Sequence, residues 1–253
     1  MRTLFALLLF IYCQPVFAQW LHRPAFIALV NRTAGAALEP SANYSSKLYA
    51  YYTCGDATSS STISDSSGNA RHLTKIGSLN VTSIAGKIDN ALSMGGGAFS
   101  TSFEGATANW DAQSFVVRCW VYNAGGWSGE PFLGMYQCQA NFNTSTSLDV
   151  ELRTDDCFVI SATASSATIS LSAWHRVVYW YDAGAQTISV KVDNGSTVTE
   201  SLAGGPCVIS SPFQVHFMST THYVDEICLW RDYIPTSDDL LYDWNSGAGR
   251  GKP

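Results

Sequence analysis

Charge is sparse in this chain, and positive charge most of all. Lys and Arg number 14 against 20 Asp and Glu, charged residues fill 13% of 253 positions, and the formal net charge is −6. No run of Lys or Arg occurs. A nucleic-acid surface needs clustered cations to face the phosphates, so that class of partner is excluded. Long apolar runs are also missing. The run Leu4–Cys13 is too short to span a bilayer and no later segment is longer, so the chain is expected not to cross a membrane.

Several chemical signatures are absent. There is no C-x-x-C for zinc, no phosphate loop and no dinucleotide fingerprint. "GWSGE" at Gly126–Glu130 approaches a serine nucleophile elbow but ends wrongly and lacks a strand-to-helix setting. His22, His72, His175, His216 and His222 show no metal spacing on one element. These absences favour a protein that is not an enzyme.

What is present begins with "MRTLFALLLFIYCQPVFA": an early positive charge, an apolar centre, and Val16 and Ala18 before a cleavage point. That is the pattern of a secretory signal peptide over residues 1–18, which predicts an extracellular or cell-surface protein. Cys54, Cys119, Cys138, Cys157, Cys207 and Cys228 then remain. An even number in an exported chain predicts disulfides, with the pairing open. Free thiols are the alternative, because Cys119 and Cys228 lie in apolar strands. The sequons at Asn31, Asn43, Asn80, Asn143 and Asn194 matter only in a host that glycosylates.

Residues 19–46 carry no sustained period and read as an N-terminal arm or linker. From Lys47 to the end at 253 the period is two. "LYAYY" places Leu48, Ala50 and Tyr52 on one face. "SFVVRCWVY" sets Phe115, Val117, Cys119 and Val121 against Arg118 and Trp120. "LDVELR" sets Leu148, Val150 and Leu152 against Asp149 and Glu151, a pair expected on a solvated face. "ISVKV" sets Ile188, Val190 and Val192 against Ser189 and Lys191. In "VDNGST", Asn194-Gly195 has the chemistry of a type I′ hairpin turn. One helix is expected near the end. Thr236 caps it with Asp239 in a capping box, Leu240, Leu241 and Trp244 form its apolar face, and Gly247 stops it. The fold class that follows is all-β, a two-sheet antiparallel jelly-roll sandwich with one short C-terminal helix.

Several segments, in order, resemble LamG-like, concanavalin A-like jelly rolls. They are "LYAYYTCGDATSSSTISDSSGNARHLTKIGS", "GKIDNALSM", "SFVVRCWVY", "AWHRVVYWYD" with "TISVKVDNG", and "VDEICLWRDYIPTSDDLLYDWNSGAG". The resemblance covers most of residues 47–249. It implies a lectin-like sandwich that binds a glycan or a cell-surface protein, or that serves as a structural or adhesion component. It also implies a structural role for His175 after Trp174. Hydrolases and lyases of the wider fold carry an E-x-D-x-E strand. Here "LDVELRTDD" offers only Asp149 and Glu151, so catalysis by that pair is disfavoured.

Calcium is common in this fold. Asp56 and Asp65 flank an oxygen-rich turn, and Asp225 lies on a strand expected beside it, so these three are the candidate calcium ligands. Sugar rings stack on exposed aromatics beside polar groups, which points to Trp110, Trp127, Tyr136 and Gln137 as the ligand surface. Strand alternation puts Val224, Glu226 and Cys228 on one face of "VDEICLW" and Asp225, Ile227 and Leu229 on the other. The acidic pair is therefore not expected to converge.

Overall fold

Sixteen β-strands and two short α-helices occur among the described residues of the computed structural model. Those residues are 38–56, 58–77, 81–94, 102–110, 113–124, 130–135, 138–144, 147–153, 160–165, 169–202, 210–216 and 222–253. The chain divides into two units, Met1–Glu39 and Pro40–Pro253, and every element named below lies in the second.

The strands form two antiparallel sheets of eight. The first holds β1 (Leu48–Tyr52), β4 (Val81–Ala85), β5 (Asn90–Met94), β7 (Phe115–Asn123), β12 (Ala173–Asp182), β13 (Thr187–Val192), β14 (Val198–Ser201) and β16 (His222–Arg231). Its order is β14-β13-β12-β7-β16-β5-β4, with β1 also paired to β16. The second holds β2 (Thr62–Ile63), β3 (Leu73–Ile76), β6 (Ser102–Asn109), β8 (Glu130–Met135), β9 (Cys138–Thr144), β10 (Ser147–Arg153), β11 (Ile160–Ser165) and β15 (Ser210–His216), in the order β11-β10-β9-β8-β15-β6-β3-β2. This is the expected sandwich.

Alternation sets the core. Phe115, Val117, Cys119 and Val121 of β7 face the other sheet, where they meet Leu133, Leu148, Val150 and Val215. The opposite face of the first sheet is not left to water. Val116, Val178, Cys228 and Trp230 form a second apolar cluster with Tyr44 and Tyr233, and Leu240 and Tyr242 pack against it. Tyr44 belongs to α1 (Ala42–Ser46), so the segment expected as an arm ends in a helix docked on the sandwich.

The second helix, α2 (Ser237–Trp244), starts with the expected capping box of Thr236 and Asp239. Its C-cap is Asn245, in the left-handed region at φ +46°. The apolar face differs from expectation. Leu241 is exposed, while Asp239 and Asp243 are buried, because the cover over this sheet is partly ionic. Asp243 Oδ1 binds Arg118 Nη1 and accepts the Tyr44 hydroxyl at 2.8 Å, and Oδ2 lies 3.0 Å from Arg176 Nη1. The β13–β14 hairpin also differs in detail. The left-handed residue is Asp193, at φ +53°, rather than the Asn194-Gly195 pair, because the Asp193 backbone bonds to Arg176 on β12.

Candidate functional site

The acidic pair sits at a β-bulge. The register between β16 and β7 slips between Asp225 and Cys228, and Glu226 takes φ +53°. At the same place the other edge of β16 passes from β5, paired at Tyr223 and Val224, to β1, paired from Ile227 onward. The extra residue cancels one step of alternation. Val224, Ile227 and Leu229 all face the core. Asp225 stands opposite Trp120 and Cys228 opposite Arg118, both on the outer side, and Glu226 meets Tyr51 there. The expected split of the two acids between opposite faces is therefore corrected: they share the outer face.

Both acids are covered, at 0% and 1% exposure. Asp225 Oδ2 accepts the amides of Lys87 and Ile88 at 2.8 and 3.0 Å. Gly86 permits this approach, since a Cβ there would lie 2.5 Å from the same oxygen. Glu226 Oε2 accepts the Tyr51 hydroxyl. Asp225 Oδ1 and Glu226 Oε1 are buried without partners. Burial pushes the Asp225 carboxyl up to about 6 and the Glu226 carboxyl up to about 7. The pair is an internal anchor that ties the turn after β4 and strand β1 to the closing strand. No substrate bond can reach it in this closed arrangement.

A row of polar residues crosses the second sheet. One row of register partners crosses all eight strands: Thr62, Thr74, Glu104, Gln214, Gly134, Gln139, Glu151 and Thr163. Every member but the glycine is polar, because this row alternates with core residues such as Phe213, Val215, Leu133, Val150 and Leu73. The Gln214 amide donates to Glu104 Oε1 at 2.6 Å, which fixes both groups across the sheet. Gly134, at φ +143°, leaves the centre of the row without a side chain. The flanking strands β8 and β15 slip register at Pro131/Leu133 and Pro212/Gln214, and such bulges bend a sheet.

Asp149 and Asn141 oppose each other in a parallel row. They are only 6% and 5% exposed, and each keeps one buried oxygen without a partner. The solvated reading of Asp149 is thus corrected. Half-buried Glu104, Gln214 and Glu151 present carboxylates and a carboxamide, groups that together donate to and accept from vicinal hydroxyls. Glu104, Asn141 and Gln214 were missed in the sequence, since a polar residue within an alternating strand carries no mark of which distant strand stands beside it.

The residues expected to bind ligand or metal are placed as follows. Trp127, Tyr136 and Gln137 lie outside the described residues. Trp110 is 1% exposed, with its ring against Tyr49 at 4.9 Å and Phe115 at 5.9 Å. It closes the core and has no ring face left for a sugar, a correction to its expected place on a ligand surface. Asp65 accepts from the amides of Tyr51, Ser67 and Arg71 and from the Ser67 hydroxyl. Asp56 accepts from the amide and hydroxyl of Ser64. Asp225 holds Lys87 and Ile88 instead. Their oxygens serve three separate turns, and among the described residues no three His, Cys, Asp or Glu side chains gather as a metal-binding group. The expected calcium set of Asp56, Asp65 and Asp225 does not fit the ion as a single donor set. The expected disulfides are also not formed at Cys54, Cys119, Cys138 and Cys228, which are buried in reduced form, with the Cys228 sulfur accepting from Arg118 Nη2 at 2.8 Å. Cys157 and Cys207 lie outside the described residues.

No protein-family model matches the chain, and no curated protein matches it. Solved structures do. The binding domain of botulinum neurotoxin DC in complex with SialylT matches at TM-score 0.57 and 11% identity, over 80% of this chain and 52% of that one. A Trypanosoma rangeli sialidase in complex with sialic acid matches at TM-score 0.57 and 14% identity, over 85% of this chain and 35% of that one. Domain 4 of an extracellular arabinanase from Geobacillus stearothermophilus, in complex with arabinotriose, matches at TM-score 0.54 and 13% identity, over 78% of this chain and 98% of that one. This chain thus spans about half of the toxin domain and about a third of the sialidase. At these identities the likeness is one of fold, a two-sheet β-sandwich.

Proposed function

We propose that this protein is an exported carbohydrate-binding module that holds a glycan chain along the polar row of its second sheet. The observation that carries the reading is the unbroken register row from Thr62 to Thr163, in which Glu104 and Gln214 stand pre-bonded beside Gly134. Eight strands at ~4.8 Å spacing make the row ~30 Å wide, long enough for several sugar units. The shared fold supports this, since the arabinanase domain of the same architecture was solved with arabinotriose. The leader-like stretch at 1–18 supports export. Trp127 and Tyr136 remain candidates for ring stacking, and Gln137 for hydrogen bonds to sugar hydroxyls.

Affinity gel electrophoresis over a panel of soluble polysaccharides tests this. The full chain is expected to be retarded by at least one polysaccharide, and Gln214→Ala is expected to weaken retardation about tenfold. Migration unaffected by every polysaccharide would remove the proposal.

A further inference from the structure

A second constellation stands at the start of β12, where the chain enters the strand from a turn. Ile169 is fully buried, and the Ser172 amide donates to the Asn123 carbonyl at 2.6 Å. Ser170 is therefore held between two fixed points, with its own side chain exposed. Its Oγ lies 2.9 Å from His175 Nε2. His175 is 8% exposed, and its Nδ1 lies 2.7 Å from Asp193 Oδ2. The other Asp193 oxygen accepts the Arg176 amide at 2.9 Å, and the Asp193 carbonyl accepts from Arg176 Nη2 at 2.9 Å. The carboxylate is thus locked in place and accepts a hydrogen bond from Nδ1–H. With Nδ1 as the donor, the imidazole turns its Nε2 lone pair toward the serine hydroxyl.

We propose that Ser170, His175 and Asp193 form a nucleophile, a general base and a positioning carboxylate for acyl transfer from small carboxylic esters. This goes beyond sugar binding and does not depend on it. The nucleophile stands at the surface and the base is covered behind it, while the carboxylate side chain is 29% exposed. In the first step Ser170 Oγ bonds to the acyl carbon while Nε2 takes the hydroxyl proton. The ester C–O bond then breaks, and the leaving alkoxide takes that proton from Nε2. Water attacks the acyl-serine in the same way, giving its proton to Nε2, and Oγ recovers it as the acid departs. No cofactor or oxidant enters. The Ser170 carbonyl, 3.2 Å from Nε2, accepts from the imidazolium formed midway. Such relays are recognised by geometry rather than by chain order, so the spacing of residues 170, 175 and 193 gave no warning.

The test treats the full chain with a fluorophosphonate probe, which bonds to a histidine-activated serine with loss of fluoride, and maps the adduct by peptide mass spectrometry. The adduct is expected on Ser170 and lost in Ser170→Ala, an exposed position that spares the fold. Labelling is expected to fall at least ~10-fold in His175→Gln and in Asp193→Asn. Turnover of p-nitrophenyl acetate by the native chain is expected to be lost in Ser170→Ala, and in Asp193→Asn kcat is expected to fall with KM little changed. Absence of an adduct on Ser170 in the native chain, or equal labelling of His175→Gln, would overturn the proposal.

Discussion

Tyr51 donates its hydroxyl to Glu226 at the point where β16 exchanges β5 for β1 as its edge partner. That contact draws a second carboxyl to the side of the sheet already occupied by Asp225. The left-handed Glu226 makes it possible, and burial of both acids follows from it.

The pair makes stability depend on pH in a known direction. Burial raises both carboxyls, to about 6 and about 7, so the folded state prefers their neutral forms. The stabilisation is complete below the unfolded values and is lost as pH rises through the folded ones. For either group alone the difference corresponds to ~3 kcal/mol. The double variant Asp225→Asn, Glu226→Gln removes the ionising groups. Its melting temperature is expected to gain on the native chain by ~10–20 °C between pH 4.5 and pH 8. A constant difference across that range would refute the assignment.

Asp243 joins α2 to the sheet through two arginines. Arg118 and Arg176 are 1% and 0% exposed, so removal of their shared carboxylate strands buried cations. Asp243→Ala is expected to cost ~3–5 kcal/mol in urea unfolding. A loss under ~1 kcal/mol would show that the arginines find other partners.

The two members of the capping box are expected to differ. Thr236→Ala removes one cap and should cost ~1 kcal/mol. Asp239 also accepts from the Ser41 amide, the Ser41 hydroxyl and the Tyr233 hydroxyl, so Asp239→Ala should cost ~3 kcal/mol. Burial pushes the Asp239 carboxyl up, but hydrogen bonds led by Thr236 and Tyr233 outweigh it and hold the carboxyl below its ordinary value. Its contribution is therefore present above the unfolded value and lost as pH falls through the folded one, opposite in sign to the Asp225–Glu226 pair. Melting of Asp239→Asn should converge on that of the native chain toward pH 3.

The thiols give a chemical check. Alkylation in denaturant without reductant should modify Cys54, Cys119, Cys138 and Cys228, whereas the folded chain should protect all four. Protection of Cys119 in denaturant would reveal a bond that the fold does not contain.

Period-two alternation made the sheets legible, because burial on one face forces it. Thr236 and Asp239 made the helix legible, because a capping box acts within one turn. The faces of Asp225 and Glu226 were not legible. Their bulge depends on two different strands meeting one edge, which no local pattern encodes. The burial of Trp110 depends likewise on Tyr49, far back in the chain. The polar row was half visible, as Glu151 on an alternating strand, while its partners Gln214 and Glu104 are brought there by sheet order alone.

The most direct test of the central claim is a glycan array probed with the full chain and with the double variant Glu104→Ala, Gln214→Ala. The native chain is expected to bind a coherent set of glycans, and the variant to lose that binding while it keeps the native melting temperature. Undiminished binding by the folded variant would contradict the placement of the glycan on the second sheet.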